Sequence, residues 1–88
     1  MNPIRIERLP WREIESRAIV LQPTIGEVHE FDEISTFLWK EANGSKSLVE
    51  ISQHLQEQYD VALETALADV TEFFTELNRL QLITWKEA

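Results

Sequence analysis

Residues 26–55, GEVHEFDEISTFLWKEANGSKSLVEISQHL, run from a short alternating segment into two capped amphipathic segments divided by Asn43-Gly44. Side chains alternate along a strand, so Glu27, His29 and Phe31 share one face and Val28 and Glu30 the other. Phe31 is the expected core anchor. A strand this short and charged on both faces reads as a sheet edge whose outward backbone groups are free to pair. The first helix is predicted to start after Asp32 as N-cap and to run to about Ala42, with Ile34, Phe37, Leu38 and Trp39 inward and Asn43-Gly44 as a left-handed stop. The second opens on Ser47-Leu48-Val49-Glu50, a spacing at which Ser47 and Glu50 satisfy each other's orphan amides. Its inward stripe is Leu48, Ile51, Leu55 and Tyr59.

Downstream, 100° per residue predicts a third helix over about Leu63 to Leu80, with Leu63, Leu67, Val70, Phe74 and Leu77 as its core line. Ala66, Phe73 and Leu80 extend that line to one flank, beside Asp69 and Glu76. This apolar sector is wider than one contact line needs. A small domain using both sides of its longest helix accounts for the width, and so does a groove along the flank. Upstream, Trp11, Ile14 and the run Ala18 to Leu21 are β-rich and Pro23 to Gly26 punctuates, predicting two or three strands in a hairpin or meander. Residues 1–10 read as an irregular arm. Leu82 to Trp85 is expected to pack back or add a short extended piece.

At 88 residues, with 43% apolar and 27% charged side chains, the chain is expected to form one domain, 1–88, with no linker. It has no cysteine, which excludes a disulfide framework and thiolate metal sites. The sequence holds no run approaching a membrane span and no signal-peptide core, so a soluble cytoplasmic protein is expected. Charge is uneven: residues 18–88 hold four basic against thirteen acidic side chains, about nine net negative charges. Such a field repels phosphate backbones and anionic lipid, which excludes nucleic acid and membrane as expected partners.

His29 and His54 stand at no ligand spacing with other donors, so no metal or other cofactor is expected. His54 faces away from the Leu48 stripe and reads as solvated; His29 reads as packed or as lining a pocket. No Gly-rich phosphate loop or nucleophile-and-base arrangement is present, and no catalytic residue is assigned. A helix-turn-helix that reads DNA should offer Arg, Lys, Asn or Gln to bases with basic flanks for phosphates; the second helix offers Gln53, Gln56 and Gln58 but also Glu50 and Glu57, and Ser47 to Tyr59 contains no Lys or Arg.

In order and spacing the chain resembles the PqqD-like domains, also called RiPP precursor peptide recognition elements, from about Arg17 to Ile83. The echo lies in Phe31-Asp32, Leu38-Trp39, Asn43-Gly44 and Ser47 to Ile51, and then in Asp69-Val70, Phe73-Phe74, Leu77 and Leu82-Ile83. Ser35 stands where the family often has Gly, Asp32 where it often has Asn, and Gln81 where a Gly usually precedes the last aliphatic pair, which implies a different exit from the third helix. The resemblance implies an α+β fold: a small winged helix-turn-helix with a three-stranded N-terminal antiparallel sheet followed by three helices.

The resemblance also implies a non-catalytic adaptor, in which the leader segment of a ribosomally made precursor peptide adds as a strand to the third strand against the third helix. Transferred to this chain, the edge is Glu27, Val28, His29, Glu30 and Phe31, and the helix flank is Ala66, Asp69, Val70, Phe73, Leu77 and Leu80. Val28, His29 and Phe73 are candidates for side-chain pockets, and Asp69 for pairing with a basic or polar leader group. The implied partner is a separate modifying enzyme, a radical SAM enzyme first and a lasso-type leader peptidase or cyclase next. The basic arm of Arg5, Arg8, Arg12 and Arg17 is one candidate surface for docking it. A winged-helix transcription regulator and a structural subunit of an enzyme complex are the alternatives.

Overall fold

The computed structural model describes residues 1–87, in the order β1 (Asn2–Arg5), β2 (Trp11–Ile14), β3 (Arg17–Gln22), β4 (Glu27–Glu30), α1 (Glu33–Glu41), α2 (Leu48–Gln58), α3 (Leu63–Arg79) and β5 (Ile83–Lys86). The strands β2, β3 and β4 form an antiparallel sheet in that order, while β1 pairs with β5 and bridges through Ile4 to Asn43. The fold is thus α+β with three helices, and the expected single N-terminal sheet is split into three strands and two.

β2 and β3 are joined by Glu15 and Ser16, both left-handed at φ 52° and 67°, between the paired Ile14 and Arg17. Positive φ at both central residues is the type I′ turn that suits the twist of a hairpin. On β3, Ala18, Val20 and Gln22 point into the core and alternate with the more exposed Arg17, Ile19 and Leu21. The loop to β4 closes with the Gly26 N–H on the Pro23 carbonyl at 3.3 Å.

Asp32 caps α1, its Oδ1 accepting the Ser35 N–H at 2.8 Å. The chain leaves β4 for α1 at Phe31, so the Ala18 N–H donates instead to the Thr36 hydroxyl at 2.7 Å. This turns Thr36 inward and leaves Ile34, expected in the core, 44% exposed. α2 begins with the expected reciprocal cap: Ser47 N–H on Glu50 Oε1 at 2.8 Å, Glu50 N–H on Ser47 Oγ at 3.1 Å. The backbone N–H of Ser47 holds the Glu50 carboxyl below the usual range, because it bonds the charged form. Ile51 and Leu55 of α2 and Ala66, Val70, Phe74 and Leu77 of α3 are buried together with Trp39. Leu63, expected to head that line, is instead 40% exposed at the helix start.

Residues expected to form an irregular arm contain β1, which runs antiparallel to β5 with Asn2 opposite Lys86 and Arg5 opposite Ile83. A four-residue strand whose partner lies at the other end of the chain has no local pattern to announce it. β1 also closes the turn after α1. The Gly44 N–H donates to the Pro3 carbonyl and the Asn2 amide donates to the Gly44 carbonyl, each at 3.0 Å. Gly44 is left-handed at φ +84°, and a Cβ there would meet Ile4 Cδ1 and Lys86 Cδ at 3.0 Å. The left-handed backbone favours glycine, and any larger residue would also have to push the Ile4 and Lys86 side chains aside.

Arg5, one of the four arginines considered for docking, is turned inward. Its Nη1 donates to the carbonyls of Trp39 and Lys40 at 2.8 and 2.9 Å, filling orphan acceptors at the end of α1. The guanidinium lies 5.6 and 5.9 Å from the ring centroids of Trp11 and Trp39, and burial lowers its pKa from the ordinary value. Arg5 is a structural clamp and not a free docking charge.

The exit from α3 likewise differs from the sequence expectation. Gln81 is left-handed at φ 62°, with its N–H on the Asn78 carbonyl and the Leu82 N–H on the Leu77 carbonyl. This is the Schellman ending that a glycine usually completes, so Gln81 takes the glycine's conformation and not a different path. Tertiary contact holds it there, since its carbonyl accepts from the buried Gln22 amide at 2.7 Å.

Candidate functional site

β4 is an edge of the three-stranded sheet, and the ladder decides what it offers. The Phe31 N–H donates to the Ala18 carbonyl at 2.8 Å, and the pairing continues as Val20 with His29 and Gln22 with Glu27. Inward- and outward-directed backbone groups alternate along an antiparallel strand. Phe31, His29 and Glu27 therefore turn their N–H and C=O toward β3, whereas those of Val28 and Glu30 point away from the sheet. Among the described residues, Val28 and Glu30 are the free donor-acceptor pairs of this edge.

Two contacts lay β4 alongside α3. At one end the rings of Phe31 and Phe73 meet edge to face, centroids 5.8 Å apart. At the other, Gln22, paired opposite Glu27, donates to the carbonyl of Gln81 just past the end of α3 at 2.7 Å. The two elements thus run antiparallel, Glu27 toward the end of α3 and Phe31 near Phe73. Arg79 donates through Nε to Glu76 Oε1 at 2.8 Å and holds that carboxyl below the usual range. Both groups are fully exposed, so the pair orients charge more than it stabilises the fold.

The residues expected to form the site divide by depth. Glu27, Val28, Glu30 and Asp69 are exposed, and Val28 most so at 66%. His29, Phe73 and Leu80 are half-buried against the core. Ala66, Val70 and Leu77 are buried, and Phe31 is 9% exposed; these four support the site from beneath and have no surface to offer. The His29 side chain is 18% exposed, and its buried Nε2 lies 3.1 Å from Glu27 Oε1 without the alignment of a hydrogen bond.

Sequence reading passed over Glu72 and Arg79. Glu72, with Asp69, Phe73 and Glu76, lines a depression along the flank of α3 that carries Phe73. The spacing i, i+3, i+4, i+7 carries the signal, but it is also that of any solvated helix face. Gln22 was missed as well: fully buried, it accepts the Thr24 N–H at 3.1 Å while donating to Gln81, and so ties the start of the β3–β4 loop to the exit of α3. A buried glutamine between Leu21 and Pro23 has no sequence signature.

His54, expected in solvent, is half-buried and sets Nδ1 2.6 Å from Glu41 Oε1, whose other oxygen accepts from Lys46 at 3.2 Å. This cluster joins α1 to α2 away from the edge. Among the described residues, no group of three or more acidic, His or Cys side chains is placed to hold a metal ion, and no helix is long and apolar enough to cross a membrane.

Two solved structures share this architecture. One, described as TbiB1 in complex with the TbiA(beta) leader peptide, matches with a TM-score of 0.85 at 18% identity over 97% of this chain and 99% of its own. Another, a lasso peptide synthetase B1 complexed with the leader peptide, matches with a TM-score of 0.84 at 14% identity over 96% and 99%. At such identities the likeness is one of fold. A comparison with curated sequences finds no match. The strand, helices and Asn43-Gly44 turn described above all lie within residues 17–83, which match the model for coenzyme PQQ synthesis protein D, and the chain belongs to that PqqD family.

Proposed function

We propose that this protein is a non-catalytic adaptor, folded as one domain, that captures the leader segment of a ribosomally synthesised precursor peptide and presents the remainder to a separate modifying enzyme. The observation that carries the reading is the unpaired edge of β4, with Val28 and Glu30 turned outward beside the half-buried Phe73 of α3. An added strand would gain main-chain hydrogen bonds from Val28 and Glu30 and side-chain contacts from His29, Phe73 and Leu80. The two structural neighbours are described in complex with a leader peptide, which supports a leader as the ligand. Tethering the precursor raises its effective concentration at the enzyme, which is a radical SAM enzyme or, next, a lasso-type leader peptidase or cyclase.

An amide-shift titration of the labelled protein with the leader of a co-encoded small peptide tests this, with a short DNA duplex as control. Shifts at Glu27 to Phe31 and along Asp69 to Leu80, with none from the duplex, are expected. No response to the leader, or a response to the duplex along α2, would overturn the adaptor reading.

A further inference from the structure

The groove beside β4 is not electrostatically even. At the Glu27 end, the carboxylate of Glu76 is already occupied by Arg79. At the Phe31 end, α3 continues past the strand, and Asp69 and Glu72 stand exposed with no ion pair or hydrogen bond among the described residues. Together with Phe73 and Glu76 they line a depression of about 350 Å³ whose apolar floor is the Phe73 ring. An aromatic floor with unneutralised carboxylates on one side suits a side chain that is apolar next to one that is cationic.

We infer that the peptide taken by this edge is an extended segment bearing an apolar residue over Phe73 and a Lys or Arg two positions further along, beyond the Phe31 end of β4. The inference rests on strand capture at β4 and deepens it to a class of sequence. The spacing follows from the geometry. Asp69 lies four residues before Phe73, about 6 Å along the helix at 1.5 Å per residue. Groove-facing side chains of an extended peptide recur every second residue, about 6.6–7 Å apart. A peptide anchored on Phe73 therefore presents its next groove-facing side chain at the level of Asp69, with Glu72 level with the anchor itself. Residues between these two positions face the opposite side of the sheet with Val28, where no carboxylate of α3 reaches.

The test is a selection from an mRNA-displayed library of random 14-residue peptides on the intact chain and on an Asp69→Lys/Glu72→Lys variant. Both substituted side chains are exposed, so the core face of α3 is unchanged, and matching amide spectra outside residues 66–76 check this. The wild-type chain is expected to enrich Lys or Arg roughly three- to fivefold at one spacing from an apolar position, the size of an exposed ion pair. The variant is expected to replace that preference with Asp or Glu at the same spacing. Basic residues enriched equally at every position report only attraction to an acidic protein, and that result, or an unchanged preference in the variant, overturns the inference while strand capture stands. A selection that enriches nothing, or peptides that leave the amides of Val28 and Glu30 unmoved, overturns the capture reading itself.

Discussion

The three-stranded sheet has two edges that offer the same backbone chemistry in different surroundings. On the β2 edge, Arg12 and Ile14 pair with Ile19 and Arg17, so Trp11 and Glu13 carry the outward groups. Their side chains are committed elsewhere: Glu13 accepts from Lys40 at 2.8 Å, and Trp11 stacks edge to face on Trp39 at 5.9 Å. On the β4 edge, Val28 is 66% exposed, and beside the strand lies the Phe73 flank of α3. A free backbone edge is common to both. At β2 the neighbouring helix, α1, already engages the edge through Lys40 and Trp39, whereas at β4 the exposed Val28 lies beside the Phe73 flank of α3, a second wall that would add side-chain selectivity to an added strand.

The largest effect separating the two edges is expected from proline. In Val28→Pro the lost N–H is the outward one and the ladder to β3 keeps its bonds, as proline on a sheet edge allows. Leader affinity measured by calorimetry should fall by about 1.5–3 kcal/mol, roughly 10- to 100-fold. Glu13→Pro removes the equivalent outward N–H of β2 and should leave that affinity within about twofold. Equal losses from both would mean that the helix wall is irrelevant.

Gln22→Ala is next in size. It strips partners from the Thr24 N–H and the Gln81 carbonyl and should lower unfolding free energy by about 1–3 kcal/mol in urea titration. Because Gln22 pairs opposite Glu27, amide exchange should quicken at β4 before β2. Phe73→Ala removes a half-buried ring that touches both Phe31 and Phe74, and should cost about 1–2 kcal/mol of stability and weaken leader binding. An unchanged leader affinity in a folded Phe73→Ala protein would remove α3 from the site.

The smallest change has the opposite sign. Gln81→Gly relieves a left-handed side chain and should raise stability by up to about 1 kcal/mol, read as a higher thermal midpoint, the entropy of the new glycine offsetting part of the gain. Leader affinity should not move.

How much of this was legible follows residue by residue. The caps at Asp32 and Ser47, the stripe of α2 and the edge over Glu27 to Glu30 were readable, because each depends on neighbours within four positions. Ile34 and Leu63 were misplaced because helical periodicity says which side chains align but not where the helix rests. Of the residues proposed for the site, Ala66, Val70 and Leu77 are buried, since a helix facing both a core and a surface flank has no mark dividing the two. The turn at Glu15-Ser16 was invisible for another reason: its residues lack the usual preference for positive φ, and strand pairing imposes it.

The sequence by itself determined the three helices, the strand character of β3 and β4, the caps at Asp32 and Ser47, the glycine at the turn before α2 and the acidic balance that disfavours phosphate ligands, all set by local sterics, hydrogen bonding and charge count. The tertiary structure alone decided that β1 closes onto β5, that Arg5 is spent on the end of α1, and that β4 lies along the Phe73 flank. Those depend on which distant surfaces meet, and no pattern confined to one segment specifies its partner.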